Sequence, residues 1–263
     1  MIKEMHTNNP ITSEGQPDGN SVLVIDPYEG CNIGCPYCFR LSDEGWLGRT
    51  IACTNIAEML DEILPTHPKE EMYVGSLCDP YISEEKDYEL TRKCLKVLSK
   101  HQMPTFITTK SDNELILRDI DIFKNFNSDL TILVGISHMQ QLRNAYNGFK
   151  NNNLELANRL HNMGITVWAS ITPIMPYIVP VEKMVNEINA DIPILLDLLR
   201  VEKPYADTIQ AEYIKKYIGL NFPHLTQKYN SIIDDGNLDY YYELKEKYKN
   251  DKRITFLHYN CNK

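Results

Sequence analysis

The sequence predicts an α/β fold built on a parallel sheet. Short β-branched runs alternate with helix-patterned segments along most of the 263 residues, which is typical of repeated β-α units. The runs are almost continuously apolar, as expected for strands that are buried on both faces. We predict six parallel strands, over Ser21–Asp26, Met72–Leu77, Pro104–Thr109, Leu130–Ser137, Thr166–Thr172 and Asp191–Leu198.

Helices are predicted between these strands from apolar residues at helical spacing. The first runs from Ile56 to Leu64 and ends before Pro65, and the second runs from Ser83 to about His101. A third carries Ile116, Ile120 and Phe123, a fourth ends at Gly164, and a fifth begins at Pro180. Beyond Arg200, helices are predicted over Tyr205–Ile218 and Asn237–Lys249, followed by a last strand within Ile254–Tyr259.

The sequence predicts one domain with an additional segment at each end. No linker, low-complexity tract or repeat of fixed period divides it. We expect an N-terminal arm over residues 1–20, a β/α core over 21–203, and a helical extension over 204–263 that packs on the core.

Composition and charge limit the kinds of molecule that this protein is expected to bind. Apolar residues make up 43% and charged residues 24% of the chain, as in soluble globular proteins. The net charge of -9 lacks the basic footprint of nucleic-acid binders, so nucleic acid is an unexpected partner. The apolar stretch Ile165–Val181 contains three prolines and is shorter than the ~20 residues of a spanning helix. We therefore expect a cytoplasmic protein with no membrane partner.

Three of the seven cysteines fall in one short segment, DPYEGCNIGCPYCFR, directly after the first predicted strand. Thiolates are the preferred ligands of iron–sulfur clusters, and a four-iron cluster with three local cysteines leaves one iron open for chemistry. A structural zinc site is the alternative, but Cys53 and His67 lie too far along the chain for the usual spacing of a fourth ligand. That alternative would make the protein a non-catalytic, zinc-stabilised binding module.

The spacing CxxxCxxC, with the aromatic residue Tyr37 before the last cysteine, resembles the radical S-adenosylmethionine (SAM) superfamily. Further segments resemble the spore photoproduct lyase-like branch of this superfamily. They are GSLCDPY at 75–81, TR at 91–92, TTKS at 108–111 and LRDID at 117–121. The resemblance covers residues 22 to 200. It implies an open three-quarter (β/α)6 barrel with one four-iron four-sulfur cluster, which is held by Cys31, Cys35 and Cys38.

The resemblance also implies an activity. In the superfamily SAM binds the open iron, and an electron splits its S–C5′ bond to give a 5′-deoxyadenosyl radical, which abstracts hydrogen from the substrate. We expect a small-molecule or peptide substrate and an electron donor such as flavodoxin or ferredoxin. The alternative within the branch is a nucleic-acid repair lyase.

Residues at predicted strand ends take the roles of cofactor ligands in this resemblance. Ser76 and Asp79 stand where the superfamily has a GGE-like motif that binds the SAM ammonium, although Asp79 before Pro80 also fits a turn. Lys110 would bind the SAM carboxylate, and Ser137 would hydrogen-bond SAM. Tyr37 is also a predicted cofactor-binding residue, because it lies inside the cysteine segment.

A last group could line the substrate cavity. Cys78 is the catalytic candidate, although Ser76 is the residue that aligns with the cysteine hydrogen donor of spore photoproduct lyases, and a small buried residue is the alternative reading of Cys78. Anion recognition or stacking on a planar group is expected of Arg143, Trp168, Tyr177 and Arg200. Each of these four could equally be a packing or surface residue.

Overall fold

A computed structural model describes residues 2–15, 21–30, 49–111, 114–136, 152–199 and 208–257, and the single positions 35, 37, 38, 40, 43 and 46. The strands in these residues are β1 Lys3–Met5, β2 Thr12–Gly15, β3 Ser21–Ile25, β4 Tyr28–Glu29, β5 Ile51–Cys53, β6 Met72–Val74, β7 Thr105–Thr109, β8 Leu130–Gly135, β9 Val167–Ile174, β10 Ile194–Leu198 and β11 Ile254–Phe256.

Eight of the described strands form one mostly parallel sheet in the order β11-β10-β9-β8-β7-β6-β3-β2. All neighbours in it run parallel except β2, which pairs antiparallel with β3. The α/β class and the parallel sheet are thereby confirmed, and all six predicted strands are present. The segments predicted as arm and extension add the two edge strands, β2 and β11.

The helices in the described residues are α1 Ile56–Ile63, α2 Glu85–Tyr88, α3 Leu90–Lys100, α4 Ile120–Lys124, α5 Asn152–Asn162, α6 Val181–Glu187, α7 Thr208–Asn221, α8 Thr226–Asp235 and α9 Asp239–Tyr248. Short 3₁₀ turns occupy Leu64–Thr66, Leu115–Asp119 and Pro223–Leu225. Helix α8 has no counterpart in the sequence prediction, because most of its residues are polar and few are buried.

The single helix predicted from Ser83 to His101 is in fact two. Glu89 adopts a left-handed backbone with φ of 53° between α2 and α3. The buried Glu85 carboxylate accepts the backbone N–H groups of Thr91 and Arg92, in the first turn of α3. A side chain thus satisfies donors that a continuous helix would have bonded to its own carbonyls, so the chain breaks and restarts.

A second, three-stranded sheet supports the cysteine segment. Its order is β1-β5-β4, with β4 immediately before the segment and β5 immediately after it. Both ends of residues 30–50 are therefore held by one small sheet.

One hydrophobic core joins the main sheet to its helices. Ile107, Ile132 and Val134 from central strands pack with Leu95 and Leu98 of α3. Buried residues of the C-terminal helices belong to the same cluster, namely Ile214, Ile218, Tyr229, Ile232 and Leu244. In the part of the chain that the structure describes, no helix is long and apolar enough to cross a membrane.

Candidate functional site

The chain closes on itself around the cysteine segment, because Gly30 before the first cysteine approaches Arg49 closely. Gly30 has a φ of +77°, and a Cβ at this position would lie 1.6 Å from the carbonyl oxygen of Arg49. Only glycine fits such a close approach in a left-handed conformation. The loop is therefore closed at its base before the first cysteine.

Two of the three cysteines of this segment, Cys35 and Cys38, lie within the described residues and share one turn. The N–H of Cys38 donates to the carbonyl oxygen of Cys35 at 3.2 Å, and both residues are half-buried. Cys31 lies outside the described residues. Closely spaced, partly accessible thiols suit an iron–sulfur cluster, because soft thiolates select such metals. Cys35 and Cys38 thus fit the predicted cluster, and Cys31 as the third ligand stays a prediction.

Cys78 lies at the base of the loop. Its thiol donates to the carbonyl oxygen of Gly30 at 3.0 Å, and the residue is buried. Its backbone N–H, together with that of Leu77, donates to one oxygen of Asp26. These side-chain contacts replace the strand ladder after Val74, which explains why β6 is shorter than predicted. Cys78 therefore contacts the residue that precedes Cys31.

Asp26 was not selected from the sequence, although an aspartate directly after an apolar strand is a recognisable signal. Burial raises the pKa of its carboxyl group to about 7, against the opposing hydrogen bonds from the backbone of Cys78 and Leu77. Ser76 lies on the neighbouring strand end, where its hydroxyl donates to the carboxylate of Glu14 at 2.6 Å. A polar cluster thus borders the base of the cysteine loop.

Asp79 bridges two strand ends. Its carboxylate accepts the N–H of Tyr81 at 2.9 Å, the hydroxyl of Thr109 at 3.0 Å and the N–H of Lys110 at 2.6 Å. Burial raises the pKa of this carboxyl group. The contact with Tyr81 matches the turn reading of Asp79 and Pro80, and the contact with Lys110 fixes the end of β7. Binding of the SAM ammonium by Asp79 or Ser76 stays a prediction.

The Lys110 side chain crosses three adjacent strand ends. It leaves β7, passes Gly135 of β8, and donates from Nζ to the carbonyl oxygen of Thr172 on β9 at 3.0 Å. The same ammonium lies 5.4 Å from the ring centroid of Tyr37 in the cysteine loop. The fold therefore brings two predicted cofactor residues, Lys110 and Tyr37, to one place beside the cysteines.

Two buried amides complete this region, and the sequence analysis missed both. Asn153 of α5 donates from Nδ2 to the carbonyl oxygens of Gly135 and Lys110, at 2.8 and 3.1 Å. Gln210 of α7 donates to the carbonyl oxygen of Tyr37 at 2.7 Å. The signal for both was a polar residue on the apolar face of a helix, where buried amides require partners.

Of the other predicted site residues, Trp168 and Tyr177 make their described contacts elsewhere. Trp168 lies four residues before Thr172, about 13 Å along β9, and packs edge-on against Phe106. Tyr177 packs against Tyr240 of α9, with their ring centroids 4.9 Å apart. Three predicted residues lie outside the described residues, namely Ser137, Arg143 and Arg200.

A buried ionic network lies under the 79–81 turn. Glu85 accepts from the Arg118 guanidinium at 2.6 Å and from the Tyr28 hydroxyl at 2.5 Å. Tyr28 belongs to β4, so this carboxylate connects the network to the strand that precedes the cysteine loop. Residues of the TR and LRDID segments are thus connected to the strand before the cysteine loop through the Glu85 carboxylate.

The second buried acid of the network is Asp119. It accepts from Arg92 at 2.7 Å, from Arg118 at 2.9 Å and from the Tyr81 hydroxyl at 3.2 Å. Both arginines therefore neutralise carboxylates that no water reaches, as buried acids require. The segments at 91–92 and 117–121 support the 79–81 turn rather than point into a cavity.

Solved structures with this fold include a complex of spore photoproduct lyase with dinucleoside spore photoproduct, at a TM-score of 0.53 and 13% identity. That match covers 84% of this chain and 66%, just under two thirds, of the lyase chain. A lyase variant with bound AdoMet and dinucleoside spore photoproduct matches at a TM-score of 0.53 and 11% identity, over 88% of this chain and 79% of that one. The chain thus has the fold of spore photoproduct lyase.

Sequence comparison identifies the family of the chain. It is 30% identical over 213 residues to the uncharacterized protein MJ0683 of Methanocaldococcus jannaschii, covering 78% of this chain and 76% of that protein. The chain belongs to the family of MJ0683. No protein-family model matches the sequence.

Proposed function

We propose that this protein is a radical SAM enzyme acting on a small-molecule or peptide substrate. The observation that carries the proposal is the path of Lys110, which spans three strand ends and reaches the cysteine loop. Ligands in parallel α/β folds bind at the carboxyl ends of strands, where these groups meet. When bound, a four-iron four-sulfur cluster with SAM on its open iron supplies reductive cleavage of SAM to a 5′-deoxyadenosyl radical.

The chain's own residues hold and orient the cofactors in this proposal. Cys31, Cys35 and Cys38 hold the cluster. The Lys110 ammonium, which donates to the carbonyl oxygen of Thr172, is proposed to bind the SAM carboxylate as a point charge. Asp79 fixes the backbone of Lys110 and thereby its starting direction.

The remaining contacts of SAM and substrate belong to the same proposal. Ser76 and Ser137 are proposed to hydrogen-bond SAM, and Cys78 remains the candidate for a hydrogen-atom donor because it lies beside the loop. The mostly parallel sheet is proposed to form the open three-quarter (β/α)6 barrel, which would exclude water from the radical. Flavodoxin or ferredoxin in the cytoplasm is the proposed source of electrons.

A small substrate is favoured over nucleic acid by charge. The chain carries 36 acidic against 27 basic residues. Phosphate-backbone binding requires several lysines or arginines on one surface, and affinity comes mainly from that charge. The dinucleoside belongs to the lyase structures, and nothing in the charge of this chain favours a polynucleotide.

Anaerobic reconstitution tests the proposal. The protein should bind iron and sulfide, turn brown, and release 5′-deoxyadenosine from SAM with a reductant. Cys35→Ala should abolish both cluster and product, because a cluster short of one ligand is not held. Cys94→Ala is the matched control, since burial raises the pKa of this thiol and keeps it inert. A colourless, zinc-loaded protein, or a Cys35→Ala variant that still yields 5′-deoxyadenosine, would refute the assignment.

The substrate can be identified in the same assay. Deuterated metabolites and peptides are added, and the released 5′-deoxyadenosine is examined for deuterium by mass spectrometry. Deuterium transfer names the substrate and the abstracted position together.

A further inference from the structure

Helix α7 places an amide on a face that is otherwise apolar. Gln210 is only 8% exposed, and Ile214 and Ile218, one and two turns further on, are fully buried on the same face. A buried amide is destabilising unless its polar atoms are hydrogen-bonded. The contact that Gln210 makes is not with the core but with the carbonyl oxygen of Tyr37, at 2.7 Å.

The receiving carbonyl belongs to the peptide unit that joins Tyr37 to Cys38. Because a peptide unit is planar, its C=O and the N–H of Cys38 move together. That N–H donates to the carbonyl oxygen of Cys35 at 3.2 Å. The peptide plane between the two cysteines is therefore held at both ends, by Gln210 on one side and by Cys35 on the other.

The Tyr37 side chain fixes the same residue from a third direction. Its ring is 7% exposed and belongs to the main hydrophobic core, with the Lys110 ammonium near its face. The ring is thus anchored in the core, while the backbone is anchored by α7. The Gln210 contact opposes rotation of the Tyr37–Cys38 peptide plane.

We infer that Gln210 is a positioning residue for the iron–sulfur cluster, which makes helix α7 part of the cofactor centre. The inference rests on the proposed function. Gln210 holds the peptide plane and so sets the direction in which the Cys38 thiolate leaves the loop. Hydrogen bonds that orient ligands contribute to metal affinity, and their loss typically weakens it ten- to a hundredfold.

Gln210→Met tests the inference, because methionine keeps the length and helix propensity of glutamine and removes the donor. Gln227→Met is the matched control, since Gln227 is an exposed glutamine on the neighbouring helix α8. Both variants and the wild type are reconstituted anaerobically, and the rate of iron release to a chelator is measured well below the unfolding temperature. The electron paramagnetic resonance spectrum of the reduced cluster gives a second readout, which a purely structural role of Gln210 would leave unchanged.

We expect Gln210→Met to release iron at least tenfold faster, with a changed spectrum and an unchanged far-ultraviolet circular dichroism spectrum, while Gln227→Met behaves as wild type. Equal release rates and spectra in Gln210→Met and wild type would overturn the inference and leave the proposed function standing. If Gln210→Met does not fold, Gln210→Leu replaces it, because leucine also lacks a donor, favours a helix and suits the apolar face of α7. A wild-type protein that takes up no iron and sulfide would instead refute the proposed function, and the role of Gln210 with it.

Discussion

Gly135→Ala should displace the Lys110 side chain from its path while leaving the lysine itself unchanged. A Cβ at Gly135 would lie 2.4 Å from Cγ of Lys110 and 3.1 Å from its Cε, so the whole stem must leave its path. The contact involves the beginning of the side chain, which cannot be relieved by moving only the flexible end. The ammonium would then lose both the Thr172 carbonyl and its position over Tyr37.

The size of the effect follows from the contact that is lost. A hydrogen bond to a charged group contributes about 1.5–3 kcal/mol, which corresponds to roughly ten- to a hundredfold in the Kd for SAM. Lys110→Met removes the same contact by deleting the charge. Gly135→Ala and Lys110→Met should therefore each weaken SAM binding within this range, and the double variant should be no weaker than Lys110→Met alone.

Calorimetric titration of SAM into reconstituted protein measures these affinities. Gly219→Ala serves as the control, because no heavy atom of its surroundings lies within 4 Å of the added Cβ. The iron content should be equal in all variants. Wild-type affinity in Gly135→Ala, or losses that add in the double variant, would show that Lys110 does not bind SAM by this path.

Three further predictions concern stability and partners. Glu85→Ala should lower the free energy of unfolding by about 1–3 kcal/mol in urea titrations, since it leaves the buried Tyr28 hydroxyl and the N–H of Thr91 without their acceptor; exposed Asp87→Asn should stay within about 0.5 kcal/mol, and equal losses would contradict this. Because the folded pKa of Asp26 is raised to about 7, the folded state binds the extra proton, so stability falls as pH rises from about 4 to 7, by up to ~1.4 kcal/mol per pH unit. Asp26→Asn should remove this slope, and an unchanged slope would refute the assignment to Asp26. Fluorescence anisotropy should give duplex DNA a Kd no tighter than ~10⁻⁴ M at physiological salt, whereas micromolar binding with a steep salt dependence would favour a repair lyase.

The parallel sheet could be predicted because its strands carry a local signal. Continuous apolar runs between helical segments give the order of elements directly, and all six predicted strands are present. The break at Glu89 could not be predicted, since it depends on a carboxylate that also contacts Tyr28, 57 residues earlier, and Arg118, 33 residues later. Local periodicity contains no information about such contacts.

The candidate site divides in the same way. The cysteine spacing and the TTKS segment indicate Cys35, Cys38 and Lys110 because their chemistry is local. The Gln210 contact joins residues 173 positions apart, and the Cys78 contact with Gly30 spans 48. Gln210 became visible only when the fold placed it beside the loop, and the contact of Cys78 with Gly30 could not be read from the sequence either.

The buried network of Glu85, Arg92, Arg118 and Asp119 changes what a motif match means in this family. The segments that carry the resemblance to spore photoproduct lyase bond to one another, to the 79–81 turn and to Glu85. Related chains that keep these segments share the buried network, and the network does not determine the substrate. New members recognised by these segments can therefore be grouped by shared architecture, while their substrates have to be assigned one protein at a time.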